Sequence, residues 1–187
     1  MSSFWRWRNR AQPQGNQQPA PGRSRDVEKH PQGQGHKSGH SAKKKVRVLF
    51  VCLGNACRSP IAEAIARREA RDIIEPCSAG LIPLGRIPEL TMEVLLQNGY
   101  SAQGLESKPI QQDVWDSADL VINLSGRFKE NTWSNHRKVE DWQVADPYGG
   151  TPTTYQRILV EIEGNVRKLA ARLRQEQLKK SAKSAGS

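Results

Sequence analysis

The sequence predicts an α/β fold built on a parallel sheet, and three observations point there. An apolar run, Val46-Arg47-Val48-Leu49-Phe50-Val51, passes straight into a tight loop and then a helix signal at Ser59-Pro60. Beyond it, short apolar stretches alternate with segments of helical period, the pattern of strands joined by right-handed crossover helices. A long amphipathic stripe, Leu159, Ile162, Val166, Leu169 and Leu173, steps alternately by three and four positions near the end of the chain.

Each element follows from local signals. Residues 46–52 form the first strand. A helix over 60–71 has Ser59 as its N-cap and Pro60 at its first position, with Ile61 and Ile65 on one face. The segment 75–80 is a short second strand ending in a turn. A helix near Glu89–Asn98 presents Leu90, Val94 and Leu95 to the core and stops at Gly99. A short helix near Gln111–Ser117 precedes a buried strand over 118–124. Another helix is expected over Gly126–Trp133, and Lys138–Trp142 is the last strand. Thr151 and Pro152 open the final helix. No internal repeat is present.

Charge divides the chain into three regions. The net charge is +10, yet residues 1–45 hold ten Lys/Arg against two Asp/Glu, and 175–187 hold three against one. The stretch 46–174 has sixteen of each sign, so the basic character belongs to the ends and carries no nucleic-acid signal for the core. Residues 1–45, rich in Pro, Gly, Gln, Ser and Arg, bury too little apolar surface to offset ordering entropy and are expected to be a disordered basic extension. Residues 46–174 are the folded domain and 175–187 a flexible basic tail. Phe4-Trp5-Arg6-Trp7-Arg8 is an aromatic and basic patch suited to an anionic membrane surface, a nucleic acid or a protein, and its partner is left open. No apolar stretch has the length of a signal-peptide core or a membrane span. His30, His36 and His40 lie in the extension, and no Cys/His grouping in the core has metal-ligand spacing, so neither a metal nor another cofactor is expected. Three cysteines, Cys52, Cys57 and Cys77, do not make a disulfide framework and fit a reducing cytoplasm.

The chemistry is concentrated in Cys52-Leu53-Gly54-Asn55-Ala56-Cys57-Arg58-Ser59. A loop between a strand and a helix N-terminus turns its backbone N–H groups inward and cradles an anion. The same field favours a thiolate at Cys52. Arg58 adds a planar fork for two phosphoryl oxygens, while Gly54 and Asn55 tolerate the left-handed backbone such a loop needs. A buried structural thiol would explain Cys52 alone; it does not explain Gly54, Asn55, Arg58 and Ser59 around it. Nucleophile and phosphate clamp in one loop predict covalent phosphoryl transfer.

Val51-Cys52-Leu53-Gly54-Asn55-Ala56-Cys57-Arg58-Ser59-Pro60-Ile61-Ala62-Glu63-Ala64 closely resembles the signature of the low-molecular-weight protein tyrosine phosphatases. Asp146-Pro147-Tyr148-Gly149-Gly150 resembles that family's second signature, the general-acid loop. The resemblance runs from about Val46 to about Leu173, and the two motifs together are far more specific than Cys-x5-Arg alone. It implies a four-stranded parallel sheet with helices on both faces, and a site beyond the C-terminal ends of the strands at a switch in strand order.

The resemblance also implies roles. Cys52 is the nucleophile and Asp146 the acid and then base. Arg58 and the N–H groups of Leu53, Gly54, Asn55, Ala56, Cys57 and Ser59 stabilise the phosphoryl oxygens. Ser59 donates to the Cys52 sulfur while capping the helix, and Asn55 holds the strained loop. Cys57 stands where the family has a second cysteine able to form a reversible disulfide with the nucleophile; filling space at the helix start is the other reading. Cys77 is a buried strand residue. Tyr148 stacks on an aromatic substrate ring or anchors its loop.

The implied reaction is hydrolysis of a phosphorylated protein, releasing inorganic phosphate. Phosphotyrosine is the first expectation and phosphoarginine the second, since Asp-Pro-aromatic-Gly-Gly is shared with bacterial arginine phosphatases. This chain departs from the tyrosine phosphatase pattern at Ala56, where a bulky aliphatic is common, whereas arginine phosphatases carry Thr. Leu81-Ile82-Pro83-Leu84-Gly85 lacks the aromatic that walls the pocket in eukaryotic members, and Leu124-Ser125-Gly126 lacks a frequent acidic residue. Thioredoxin-linked arsenate reductases need a further pair of cysteines downstream, and no cysteine follows Cys77. A phospho-binding module without catalysis, or a nucleic-acid binder acting through the basic extension, is the alternative of another class.

Overall fold

The computed structural model describes residues 44–126 and 137–185. Within them the chain runs β1 (Val46–Cys52), α1 (Arg58–Glu69), β2 (Ile74–Gly80), α2 (Glu89–Gln97), α3 (Gln112–Ser117), β3 (Leu120–Asn123), β4 (Val139–Asp141) and α4 (Pro152–Ala185). The four strands make one parallel sheet in the order β2-β1-β3-β4. From β1 the chain crosses to β2 on one side and then returns past β1 to β3 on the other. The strand order therefore reverses at the C-terminal end of β1, where Cys52 lies. Such a switch point opens a crevice beyond the strand ends, because the two connections diverge there.

β1 is one of the two inner strands and is buried on both faces from Val48 onward. Val48, Phe50 and Cys52 join the main core with Ile61 and Ile65 of α1 and Ile158, Leu159, Ile162 and Val166 of α4. Leu49 and Val51, which alternation sends to the opposite face, are equally inaccessible. The expected α4 stripe is the one that packs: Leu159, Ile162, Val166, Leu169 and Leu173 are all buried. In α2 the buried residues are Thr91, Val94 and Leu95, with Leu90 only partly covered.

Three expectations change in the structure. Helix α1 begins at Arg58, with Cys57 and not Ser59 at the cap position, and no side chain caps it. The Ser59 hydroxyl is turned into the site instead. Secondly, α4 continues to Ala185, through residues expected as a flexible tail. Apart from Ser181 and Ser184, its last turns are built from Gln, Glu, Leu, Lys and Ala, all strong helix formers, with no Gly or Pro before Gly186 to stop them. Thirdly, the first turns of α1 are buried all round, from Arg58 to Ala66, including Glu63. Of the helix expected over Gly126–Trp133, residues 127–133 lie outside the described residues, as do residues 1–43 of the extension.

Candidate active site

The loop from Cys52 to Arg58 is shaped by where its carbonyl oxygens go. Cys52, Leu53 and Gly54 accept from the backbone N–H groups of Leu81, Ile82 and Leu84, at 3.1, 2.8 and 2.9 Å. Ser107 also donates its hydroxyl to the Gly54 carbonyl at 2.9 Å, and Thr91 donates to that of Ala56 at 3.0 Å. A planar trans peptide sets each N–H opposite the preceding C=O. Carbonyls fastened outward therefore aim the N–H groups of Leu53, Gly54, Asn55 and Cys57 inward, toward the cavity side. A ring of donors at the start of α1 is the arrangement that suits an anion.

Two backbone features make the curve possible. Asn55 adopts a left-handed conformation, φ 45°, the only non-glycine with positive φ among the described residues. Its fully buried amide holds it there: Nδ2 donates to Ser59 Oγ and to Ser78 Oγ, both at 2.9 Å, and Oδ1 accepts from the Lys108 N–H at 2.9 Å. Gly80, at the end of β2, touches the same turn. A Cβ there would sit 2.8 Å from the Asn55 nitrogen and 3.0 Å from the Leu53 oxygen, which only glycine avoids.

Cys52 is 2 % exposed, and its sulfur accepts from the Ser59 hydroxyl at 3.1 Å. Arg58 is buried at the first position of α1. Its Nη2 meets the Asp146 carboxylate at 2.5 Å and its Nη1 the Val144 carbonyl at 3.4 Å. Nε is buried with no acceptor among the described residues. Asp146 comes from the loop between β4 and α4, 88 positions later in the chain, and its side chain is 43 % exposed. Its other oxygen accepts from the Tyr148 N–H at 3.2 Å, which turns the loop across Pro147.

These groups surround one cavity of about 220 Å³. Cys52, Leu53, Gly54, Ala56, Cys57 and Arg58 supply its floor, and Asp146, Tyr148, Ile82 and Leu84 complete the lining. Tyr148, Ile82 and Leu84 are all exposed, giving the mouth an apolar rim. The structure thus brings every expected site residue to one place, with Asn55 and Ser59 fixing the loop around it. Cys57 lines the same cavity as Cys52, its sulfur 3.4 Å from the Tyr155 hydroxyl, and burial pushes its thiol above the usual range. Cys77, in β2, is pushed by burial up to about 12.

Several residues of the site had no signal in the sequence. Ser78, Gly80, Thr91, Ser107 and Tyr155 are far from the loop in sequence, from 23 positions between Asn55 and Ser78 to 98 between Cys57 and Tyr155, and each is common in ordinary strands and helices. Glu63 read only as part of a helix, yet it accepts from the Ser78 hydroxyl at 2.5 Å and pairs with Arg67. Nothing short of the fold reveals that these side chains converge.

Comparison with known proteins places this arrangement. The family model described as low molecular weight phosphotyrosine protein phosphatase matches residues 47–182. A protein-arginine-phosphatase of Bacillus subtilis is 31 % identical over 148 residues, covering 69 % of this chain and 97 % of that protein. An arsenate reductase of Bacillus cereus is also 31 % identical, over 67 % of this chain and 95 % of its own. Among solved structures, an arginine phosphatase from Geobacillus stearothermophilus aligns with a TM-score of 0.64 at 29 % identity, over 72 % of this chain and 96 % of that one. A low-molecular-weight protein tyrosine phosphatase from T. tengcongensis aligns with a TM-score of 0.62 at 30 % identity, over 68 % and 99 %. The chain belongs to the low-molecular-weight phosphotyrosine protein phosphatase family, as a cysteine-based hydrolase of the superfamily that also holds arginine phosphatases and arsenate reductases.

Proposed function

We propose that this chain is a protein tyrosine phosphatase that hydrolyses phosphomonoesters through a phosphocysteine intermediate. The observation that carries the reading is the convergence of Cys52, Arg58 and Asp146 on one cavity lined by an anion-binding loop. A phosphate dianion entering it meets the inward N–H groups and the guanidinium of Arg58, whose buried Nε is without an acceptor among the described residues. It replaces Asp146 as the partner of Arg58, which frees that carboxyl for the leaving oxygen.

The Cys52 thiolate then attacks phosphorus in line, so an S–P bond forms as the P–O bond to the leaving group breaks. Asp146, protonated, gives its proton to the departing oxygen. As a carboxylate it next takes a proton from water, whose oxygen attacks phosphorus. The S–P bond breaks, inorganic phosphate leaves, and Cys52 returns as thiolate. Ser59, donating to the sulfur at 3.1 Å, favours the thiolate at both ends of the cycle. This chemistry requires a reducing compartment, in keeping with a cytoplasmic site.

The apolar rim of Tyr148, Ile82 and Leu84 supports an aromatic leaving group, which slides between flat and branched side chains more readily than a charged guanidinium. Ala56 supports the same choice, because its methyl gives no hydroxyl to orient a water on a phosphoramidate. Phosphoarginine is the second reading, favoured by the similarity to arginine phosphatases. An arsenate reductase route lacks a cysteine pair beyond Cys77 to carry the disulfide outward. The deciding experiment compares kcat/KM for phosphotyrosine, phosphoarginine and phosphoserine peptides. Phosphotyrosine is expected to be turned over best; a higher value for phosphoarginine selects the second reading, and no turnover of either refutes both.

A further inference from the structure

The basic residues on either side of the neutral core, just before Val46 and after Leu173, meet in space. Gln177, in the C-terminal half of α4, donates from Nε2 to the Lys44 carbonyl at 2.7 Å, across 133 positions. A cleft of about 590 Å³ opens beside this contact, where the strands begin. Lys45 directly precedes β1 and Cys52 ends it, so seven residues of strand, roughly 23 Å, separate the cleft from the catalytic cavity. Arginines take up the three acids of the cleft: Arg47 pairs with Asp119 at 3.5 Å, and Arg172 with Glu140 and Glu176 at 2.8 and 3.9 Å. The lysines are left over. Lys44, Lys45 and Lys180 line the cleft, Lys179 and Lys183 flank it on α4, and all five are exposed with no ion-pair partner among the described residues. From Arg174 to Ala185 the helix runs on for about 18 Å past Leu173, the last residue of its buried stripe. Leu178, next to Lys179, is 60 % exposed on that stretch.

We propose that this end of the molecule rests on an anionic bilayer surface, held by the unpaired lysines of α4 and of the entry to β1 and by the aromatic and arginine cluster of the extension. The extension joins the fold at this end, through Lys44. Its residues 1–25 hold five arginines and no acidic residue, and Phe4, Trp5 and Trp7 are interleaved with Arg6 and Arg8. Tryptophan settles at the headgroup level of a bilayer, and the planar fork of arginine binds lipid phosphate. A nucleic acid satisfies the charges and stacks on the tryptophans but leaves Leu178 in water; a headgroup layer takes all three. Each signal alone gives weak, reversible binding, and two joined by a tether bind far better than either. The catalytic cavity, at the other end of the strands, faces away from such a surface and stays open to substrate. The inference stands whichever phosphorylated residue that cavity takes.

The test measures partition of the full chain onto sedimented vesicles of equal parts phosphatidylserine and phosphatidylcholine, with vesicles of phosphatidylcholine alone beside them. Binding is expected to the anionic vesicles only, and to weaken steeply with added salt. Lys179→Gln, Lys180→Gln and Lys183→Gln together should weaken it about a hundredfold, each lysine counting for about fivefold near such a surface. Trp5→Ala with Trp7→Ala should weaken it about tenfold or more, through lost apolar burial. Both variants should keep kcat/KM on phenyl phosphate, and so should the unaltered chain when bound to vesicles. Equal binding to both kinds of vesicle, or none to either, overturns the proposal. So does a triple lysine variant that binds anionic vesicles as well as the unaltered chain, since the extension alone would then suffice. Activity on phenyl phosphate that disappears on the vesicles means the cavity faces the bilayer, and overturns it too. Tighter, salt-sensitive retention on duplex DNA than on anionic vesicles assigns this end to nucleic acid instead. The binding measurements use no catalysis, so they decide even if the chain turns over no phosphoester, which keeps failure here distinct from failure of the catalytic reading.

Discussion

Asp146 and Gly80 show how much of this site rests on single residues. A general acid matters in proportion to the basicity of the group it protonates. Asp146→Ala should therefore depress kcat by about a hundredfold or more for phenyl phosphate and far less for nitrophenyl phosphate. An equal loss on both would mean that the carboxyl only binds. Gly80 never touches substrate, but any side chain there collides with the backbone of Leu53 and Asn55. The colliding atoms are backbone, not the tip of a flexible side chain, so the loop has to move. Gly80→Ala is expected to cost about 1–3 kcal/mol of stability, read by denaturant unfolding, and to remove most activity. Full activity in that variant would show that the cradle tolerates displacement.

Helix α4 links the core to the Asp146 loop. Its buried stripe closes the core over α1, and its N-terminal turn follows the Asp146 loop, so where the helix packs helps to set where Asp146 lies. In its C-terminal half, Arg174 grips Asp72, in the turn after α1, with two bonds of 2.7 and 2.8 Å. Hydrogen bonds from Arg174 hold the Asp72 carboxyl down at about 2, against 3.8. A carboxyl lowered on folding stabilises the native state above its unfolded pKa and loses that contribution as pH falls toward the folded one. Both side chains are well exposed, so solvent screening limits the effect to about 1 kcal/mol or less. Asp72→Asn should lower Tm slightly near pH 7, and the gap should close between about pH 4 and 2. A gap that persists unchanged at acid pH would assign the loss to something other than this ion pair.

For the molecule as a whole, the sheet order β2-β1-β3-β4 is what turns two distant motifs into one site. Parallel strands all end on the same edge, and reversal of the order at β1 leaves that edge open beside Cys52. The charge is arranged independently of this, with the excess lying outside residues 46–174. A chain lacking residues 1–43 is expected to keep its kcat/KM on a small phosphoester. Salt-sensitive retardation of nucleic acid in a gel-shift assay, wherever the full chain shows it, is expected to vanish with the extension. Retardation by the shortened chain would place binding on the neutral core and contradict that division.

The sequence by itself determined what depends on neighbours along the chain. Periodicity gave the strand ahead of Cys52 and the α4 stripe, because burial of one face repeats with the geometry of the element. Cys52, Arg58 and Asp146 were legible because each lies in a dense local motif whose residue types fit no simpler role. Tertiary structure alone decided everything that depends on convergence across the sheet. It withdrew the capping role expected of Ser59 and left its expected bond to sulfur, buried Glu63 behind Ser78, and set Gly80 against the loop. It also carried α4 past the expected boundary, where helix propensity met no stop signal. Local pattern records which face is buried, and only the assembled chain fixes which buried groups meet.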